Sequence, residues 1–175
     1  MKHSKPRPAE GRNPDTQQIG ALCWRMHRGK VEVLLITSRD TGRWVIPKGW
    51  PMADRSAPEA AAQEAWEEAG VKGELAPQVL GTYGYDKIMK PGSALPCTVE
   101  VYPLRVGELA EKFPERKERR RKWFAAEKAA RKVAEPELRH IFLSLAEDPT
   151  LLLPEASPDA PPFAARDRDV SMEQR

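Results

Sequence analysis

The chain has 175 residues, of which 40% are hydrophobic and 31% charged, with a formal net charge of +3 at pH 7. That length suits one domain with some tail, and that balance is ordinary for a soluble globular protein. No apolar run approaches the roughly 20 residues that cross a bilayer, and the polar opening MKHSKPRPAEGRNPD lacks the apolar stretch of a signal peptide.

The net charge is too mild to specify a nucleic-acid binder, but its distribution is uneven. Acidic residues gather around 54–68, whereas ERKERRRK at 115–122 is a dense basic block. Carboxylates beside a basic rim suit a metal ion and an anionic, phosphorylated ligand. Cys23 and Cys97 have neither metal-ligand spacing nor a disulfide framework, which fits a reducing cytoplasm.

Residues 1–16 are polar and contain prolines, and are expected to form a flexible arm ahead of a domain over 17–147. IGALCWRM and VEVLLITS read as two strands joined by the turn HRGK, and WVI is a brief strand that Pro47 ends. A helix follows, with Ser56 as N-cap, Glu59 three residues on, Pro58 in the first turn and Gly70 as C-cap. Its alanines 61, 62, 65 and 69 allow close approach to a sheet. VLGTYGYDKI and PCTVEVYPLRV read as further strands separated by MKPGSAL, and 125–145 is helical in composition, broken or restarted at Pro136. Residues 148–175 are rich in proline and charge and are expected to be disordered, except that Leu151 to Leu153 form a short apolar clip. The order of strands, helix, strands and helix indicates an α/β or α+β sandwich.

Glu64, Glu67 and Glu68 stand at i, i+3 and i+4 and share one helix face. Hard carboxylate oxygens on one rigid element suit Mg²⁺ or Mn²⁺. The same spacing fits a solvated surface face, and spacing alone does not choose between them.

The surrounding residues point further. GWPMADRSAPEAAAQEAWEEAGV, residues 49–71, resembles the Nudix hydrolase box GX5EX7REUXEEXGU, where U is aliphatic. Gly49 matches its first glycine, Glu64 the glutamate of its RE pair, Glu67 and Glu68 its EE pair, and Gly70 with Val71 its closing GU. Two positions depart: Arg55 replaces the first glutamate and Gln63 replaces the arginine. RWVIPKGWP and RRRKWFAAEKAARKV extend the resemblance over roughly residues 18–146. ALCWR, EVLLITSRDTGRWVIPKG and EEAGVKGEL are similar to the diphosphoinositol polyphosphate phosphohydrolases and diadenosine polyphosphate hydrolases.

This resemblance implies an α/β/α sandwich with a mixed central sheet and the acidic helix on one face. It implies Mg²⁺-dependent cleavage of a diphosphate linkage in a polyphosphorylated small molecule, diphosphoinositol polyphosphates and diadenosine polyphosphates foremost, with Mn²⁺ as a substitute metal. Glu64, Glu67, Glu68 and the backbone carbonyl of Lys48 correspond to metal ligands, and Glu64 or Glu67 to the catalytic base. Arg39, Lys48, Gly49 and Arg119 correspond to the substrate-binding set; for the Lys48 ammonium a solvated loop position is the competing reading. Most of the block 116–122 reads as a solubilising turn, Trp123 and Phe124 as core, and Glu100 as a mid-strand carboxylate open to a further ligand role. A phosphorylated small molecule is the expected partner, with no membrane and no stable nucleic-acid partner. Hydrolysis of other nucleoside diphosphate derivatives is an alternative. Arg55 and Gln63 also leave open a fold that binds its ligand with weakened catalysis. A nucleic-acid-binding role for the arginine block lacks the interleaved aromatic platforms such binding uses.

Overall fold

The computed structural model describes residues 16–153. Strand β1 (Gln17–His27) turns back through Arg28 and Gly29, both at positive φ, into β2 (Lys30–Thr37). Two short strands, β3 (Trp44–Val45) and β4 (Lys48–Gly49), lead to helix α1 (Ala57–Ala69). β5 (Val71–Leu75), β6 (Gly81–Lys90) and β7 (Ser93–Leu109) follow, then β8 (Arg121–Ala125). Helices α2 (Ala126–Lys132) and α3 (Pro136–Glu147) and a 3-10 helix (Pro149–Leu152) close the described chain.

The strands form one mixed eight-stranded sheet. β1 lies at its centre, parallel to β7 with Gly20 opposite Val101, and antiparallel to β2 and β4. At 17 residues, β7 is long enough to pair with β6 in its first half and β5 in its second, while β1 runs along its other edge. β2 carries β3 and β8.

Period-two alternation sorts the central strands onto two covered faces, which explains why they read as continuous apolar runs. Ile19, Ala21 and Cys23 of β1, with Leu34 and Ile36 of β2, face the alanines 60, 61, 65 and 69 of α1. Leu22, Trp24, Val33 and Leu35 face α2 and α3, where Leu138, Phe142 and Leu145 complete the second core. The result is helix, sheet, helix, the α/β/α sandwich expected from the sequence.

Several elements differ from the sequence reading in ways that burial explains. β5 has one buried residue, Val71, so no alternation marked it as a strand. The loop expected at MKPGSAL is a tight turn around Gly92, at φ 78°, with both flanking strands extended into it. Arg121 and Lys122, expected in a solvated turn, are β8 residues paired with Ile36 and Leu35. Pro136 restarts the helix as its first residue, where the missing N–H costs nothing.

The arm expected over 1–16 lies outside the described residues except for Thr16, and so does the part of the expected tail beyond 153. The 3-10 helix seats Leu152, 1% exposed, against the α2–α3 core. Leu152→Ala should therefore cost about 3 kcal/mol, the usual loss for a buried leucine that leaves a cavity. A chemical denaturation midpoint lowered without a change in slope would show it; an unchanged midpoint would remove Leu152 from the core.

Candidate active site

The site is built on α1. Ser56 Oγ accepts from the Glu59 N–H at 3.3 Å and Glu59 Oε1 accepts from the Ser56 N–H at 2.9 Å, so the capping box fixes where the helix starts. Gly70, at φ 68°, ends it in the left-handed conformation that glycine adopts freely. With the alanine face held on the sheet, the acidic face looks across to β4. There Gly49 leaves no room for a side chain: a Cβ on it would overlap the Glu64 carboxylate. The strand backbone and the helix carboxylate are in contact, and the next residue back, Lys48, donates its backbone N–H to Glu68 Oε1 at a long 3.4 Å.

A second wall comes from the segment between β7 and β8, which is tied to the last turn of α1. The Ala110 N–H donates to Gly70 O at 2.8 Å, the Glu115 N–H to Glu67 O at 2.9 Å, and Arg121 Nη1 to Ala69 O at 2.7 Å. Carbonyls that a helix end leaves without partners are thus used to dock a loop. This loop carries Arg119, whose side chain is only 9% exposed. Its Nε donates to Glu115 Oε1 at 2.8 Å, its Nη1 to Thr37 O at 3.1 Å, and its Nη2 stands 3.6 Å from Glu68 Oε1. Arg39 reaches the same loop, with Nη1 3.1 Å from Glu118 Oε1 and Nε 3.8 Å from Glu115 Oε1.

Between these walls lies a cleft of about 270 Å³, lined by Glu64, Glu68 and Glu115, by Arg39, Lys48 and Arg119, and by Gly49. Lys48 Nζ lies 4.7 Å from the centre of the Tyr85 ring, and the Tyr85 hydroxyl donates to Gln18 Oε1 at 2.6 Å. Of the residues singled out in the sequence, Glu64, Glu68, Arg39, Lys48, Gly49 and Arg119 therefore meet in one place. Glu67 does not line the cleft: its Oε2 accepts from Gln63 Nε2 at 2.6 Å, one turn back along the helix. The amide that replaces the box arginine thus holds the neighbouring carboxylate as a neutral donor. Arg55 is exposed at the helix entrance. Glu100 stands outside the cleft and accepts from the Tyr102 hydroxyl at 3.3 Å. The basic block is divided: Arg119 and Arg121 turn inward to bind backbone carbonyls, so it is no uniform solvent-facing strip.

Glu115 went unnoticed in the sequence. It sits four residues before Arg119 inside a block read for its positive charge, and that spacing was its only local signal. Gln18 and Tyr85 gave none, since their roles depend on which strands meet.

Burial perturbs three of the ionisable groups in the cleft. Burial, and then a hydrogen bond with Glu68, push the Glu64 carboxyl up to about 8. Burial also raises Glu68, against the opposing pull of Arg119. Burial lowers the Lys48 ammonium below its ordinary range although Glu68 opposes it. Among the described residues no three carboxyl, imidazole or thiol groups converge as a ready-made metal cage. Two adjacent carboxylates, Glu68 buried and Glu64 half-buried, beside a backbone strand still fit Mg²⁺, which binds through one or two carboxylates and keeps other positions for water and phosphate oxygens. The donor set is hard oxygen throughout, as that ion prefers.

The family model described as NUDIX domain matches residues 16–145. Nudix hydrolase 12, mitochondrial, of Arabidopsis thaliana is 37% identical over 103 residues, covering 57% of this chain and 51% of that protein. Diphosphoinositol polyphosphate phosphohydrolase 3-beta of Homo sapiens is 33% identical over 115 residues, 65% of this chain and 66% of that protein. The chain thus spans between about half and two thirds of the length of these relatives. In fold it is similar to a C. elegans Ap4A hydrolase, with a TM-score of 0.52 at 19% identity, covering 74% of this chain and 97% of that one. No helix of the described residues is long and apolar enough to cross a membrane.

Glu64 keeps its proton to about pH 8 in the fold against an ordinary 4.5. The folded chain therefore binds more protons than the unfolded chain between those values, and metal-free stability should fall as pH rises through that window. Added Mg²⁺ should raise the melting temperature more at about pH 8 than at about pH 5, because metal displaces the proton. Equal shifts at both pH values would refute the assignment. Gly49→Ala should displace the Glu64 carboxylate and weaken Mg²⁺ binding about tenfold or more, read by calorimetry.

Proposed function

This chain belongs to the NUDIX family, and on that premise we propose that it is a Mg²⁺-dependent pyrophosphohydrolase that cleaves a diphosphate linkage in a phosphorylated small molecule. The observation that carries this reading is the meeting, across one cleft, of half-buried Glu64 and buried Glu68 with Arg39, Lys48 and Arg119. Two like-charged carboxylates side by side repel one another, but beside a row of cations they match a metal and a phosphoanhydride.

Glu64, Glu68 and the Lys48 backbone carbonyl are the groups that would hold the metal, with Glu67 as the further carboxylate of the same helix, joining them if its side chain leaves Gln63. A divalent cation bound there neutralises phosphate charge and lowers the pKa of a coordinated water. Arg119, preset by Glu115 and the Thr37 carbonyl, directs guanidinium N–H groups at the cleft, where they bind phosphate oxygens. Arg39 adds a second guanidinium at the rim and Lys48 a point charge. A carboxylate takes the proton of the attacking water; Glu67, kept as an acceptor by Gln63, and Glu64 are the two candidates. Relatives named for diphosphoinositol polyphosphates and a fold neighbour named for Ap4A support those two substrate classes. The unpaired buried thiols of Cys23 and Cys97 support a reducing cytoplasm as the working compartment.

Phosphate release from a panel of diphosphate compounds with Mg²⁺, assayed beside Glu67→Gln and Glu64→Gln, tests the reading. The residue acting as base should lose roughly 10²–10⁴-fold in kcat while its variant still binds Mg²⁺. A residue acting as ligand should lose metal affinity first. Turnover of no compound, or variants equal to wild type, would end the hydrolase reading.

A further inference from the structure

Arg39, the guanidinium at the rim of the cleft, is carried on the turn between β2 and β3. That turn is closed on itself. The Ser38 N–H donates to Arg43 O at 2.8 Å, the Gly42 N–H to Ser38 O at 2.9 Å, and Ser38 Oγ accepts from the Asp40 N–H at 3.3 Å. It therefore moves as a unit, and because residues 39–43 are all exposed, little buried surface fixes where it sits. Two arginines tie it to other elements. Arg39 reaches the β7–β8 loop through Glu118 and Glu115, and Arg43 reaches α3, with Nη1 3.5 Å from Glu135 Oε2.

The second tie is the unusual one. Glu135 is the N-cap of α3, where a side chain ordinarily turns back and accepts from the first turn of its own helix, and it makes no such bond. It is 7% exposed, and its buried Oε1 has no hydrogen-bond partner among the described residues. Its carboxylate instead helps to wall a small recess of about 60 Å³ beside the cleft, which Ser38, Thr41 and Arg43 of the turn also line. A carboxylate turned away from its own helix and buried against one guanidinium holds that guanidinium more firmly than an exposed pair does. We infer that Glu135 is a positioning residue for diphosphate binding: by holding Arg43 it fixes the turn from which Arg39 reaches a phosphate. The inference rests on the reading of the adjoining cleft as a diphosphate site. The Arg39–Glu118 pair is of the exposed kind, at 54% and 48%, and it opens when Arg39 turns to the ligand. Arg43 is then the tie that keeps the turn in place. Without it, ordering the turn would be charged against affinity at each binding event.

Calorimetric titration with methylene diphosphonate, a diphosphate mimic that is not hydrolysed, in the presence of Mg²⁺ reads this positioning without turnover. The variants form a cycle of Arg39→Ala, Glu135→Gln and the two combined, with melting temperatures to confirm that each is folded. Arg39→Ala should weaken binding about tenfold, the loss of a hydrogen bond to a charged group. Glu135→Gln, which keeps the shape and removes the charge, should weaken it about threefold or more while Arg39 is present and leave it unchanged once Arg39 is gone. Arg43→Ala, which breaks the same pair from its more exposed end, should act as Glu135→Gln does, and Arg43→Lys should recover part of the loss. Equal losses with and without Arg39, the mark of a merely structural role, would overturn the proposal. So would binding indifferent to Glu135→Gln or to Arg39→Ala. Coupling between Glu135 and Arg39 in a protein that hydrolyses no diphosphate would remove the hydrolase reading and keep this one. Hydrolysis that depends on Arg39 and not on Glu135 would do the reverse.

Discussion

The second half of α1 is the fixed point of the molecule. Its alanine face is pressed on the sheet, its Glu64 carboxylate meets the backbone at Gly49, and its end carbonyls are bound by Ala110, Glu115 and Arg121. Each contact uses something an isolated helix leaves over, whether small side chains, a bare backbone or unpartnered carbonyls. Together they bring an acidic helix, a two-residue strand and a basic loop into one rigid frame. Sites gain precision when their groups are borne on elements held in this way.

That frame is held against its own electrostatics. Half-buried Glu64 and buried Glu68 stand side by side, and the fold answers Glu68 with Arg119 at 3.6 Å and with the Lys48 backbone N–H, neither of them a full partner. Arg119 is itself shared with Glu115 and with a carbonyl. Fully paired charges would stabilise the protein but leave nothing to attract a cation or a phosphate. Burial, the largest cause, raises both carboxyls and lowers the Lys48 ammonium.

The two departures from the family box also fit this frame. With Gln63 in place of arginine, Glu67 has a neutral hydrogen-bond donor one turn away and no compensating charge. Arg55 lies exposed at the helix entrance, outside the cleft. The neighbouring recess shows the same economy: an acidic N-cap is spent on a pocket wall and not on its helix.

Much of this was legible in one dimension because its causes are local. The capping box, the C-cap glycine, the proline that restarts α3 and the apolar runs of β1 and β2 follow from the chemistry of neighbouring residues, and so do the shared helix face of Glu64 and Glu68 and the match of the box. What escaped depended on distant pairing. β4, β5 and β8 exist because longer strands offer them edges, and Arg121 becomes a strand residue because Ile36 lies opposite. Glu115, Gln18 and Tyr85 join the cleft only when segments nearly seventy residues or more from their partners are brought together. Glu67 left the cleft face, and Glu135 turned from its helix, because side-chain rotamers answer to partners in space. Sequence alone thus determined the helix, its acidic face and the family; tertiary contact decided which carboxylates and cations share a cleft, since burial and proximity belong to the folded chain.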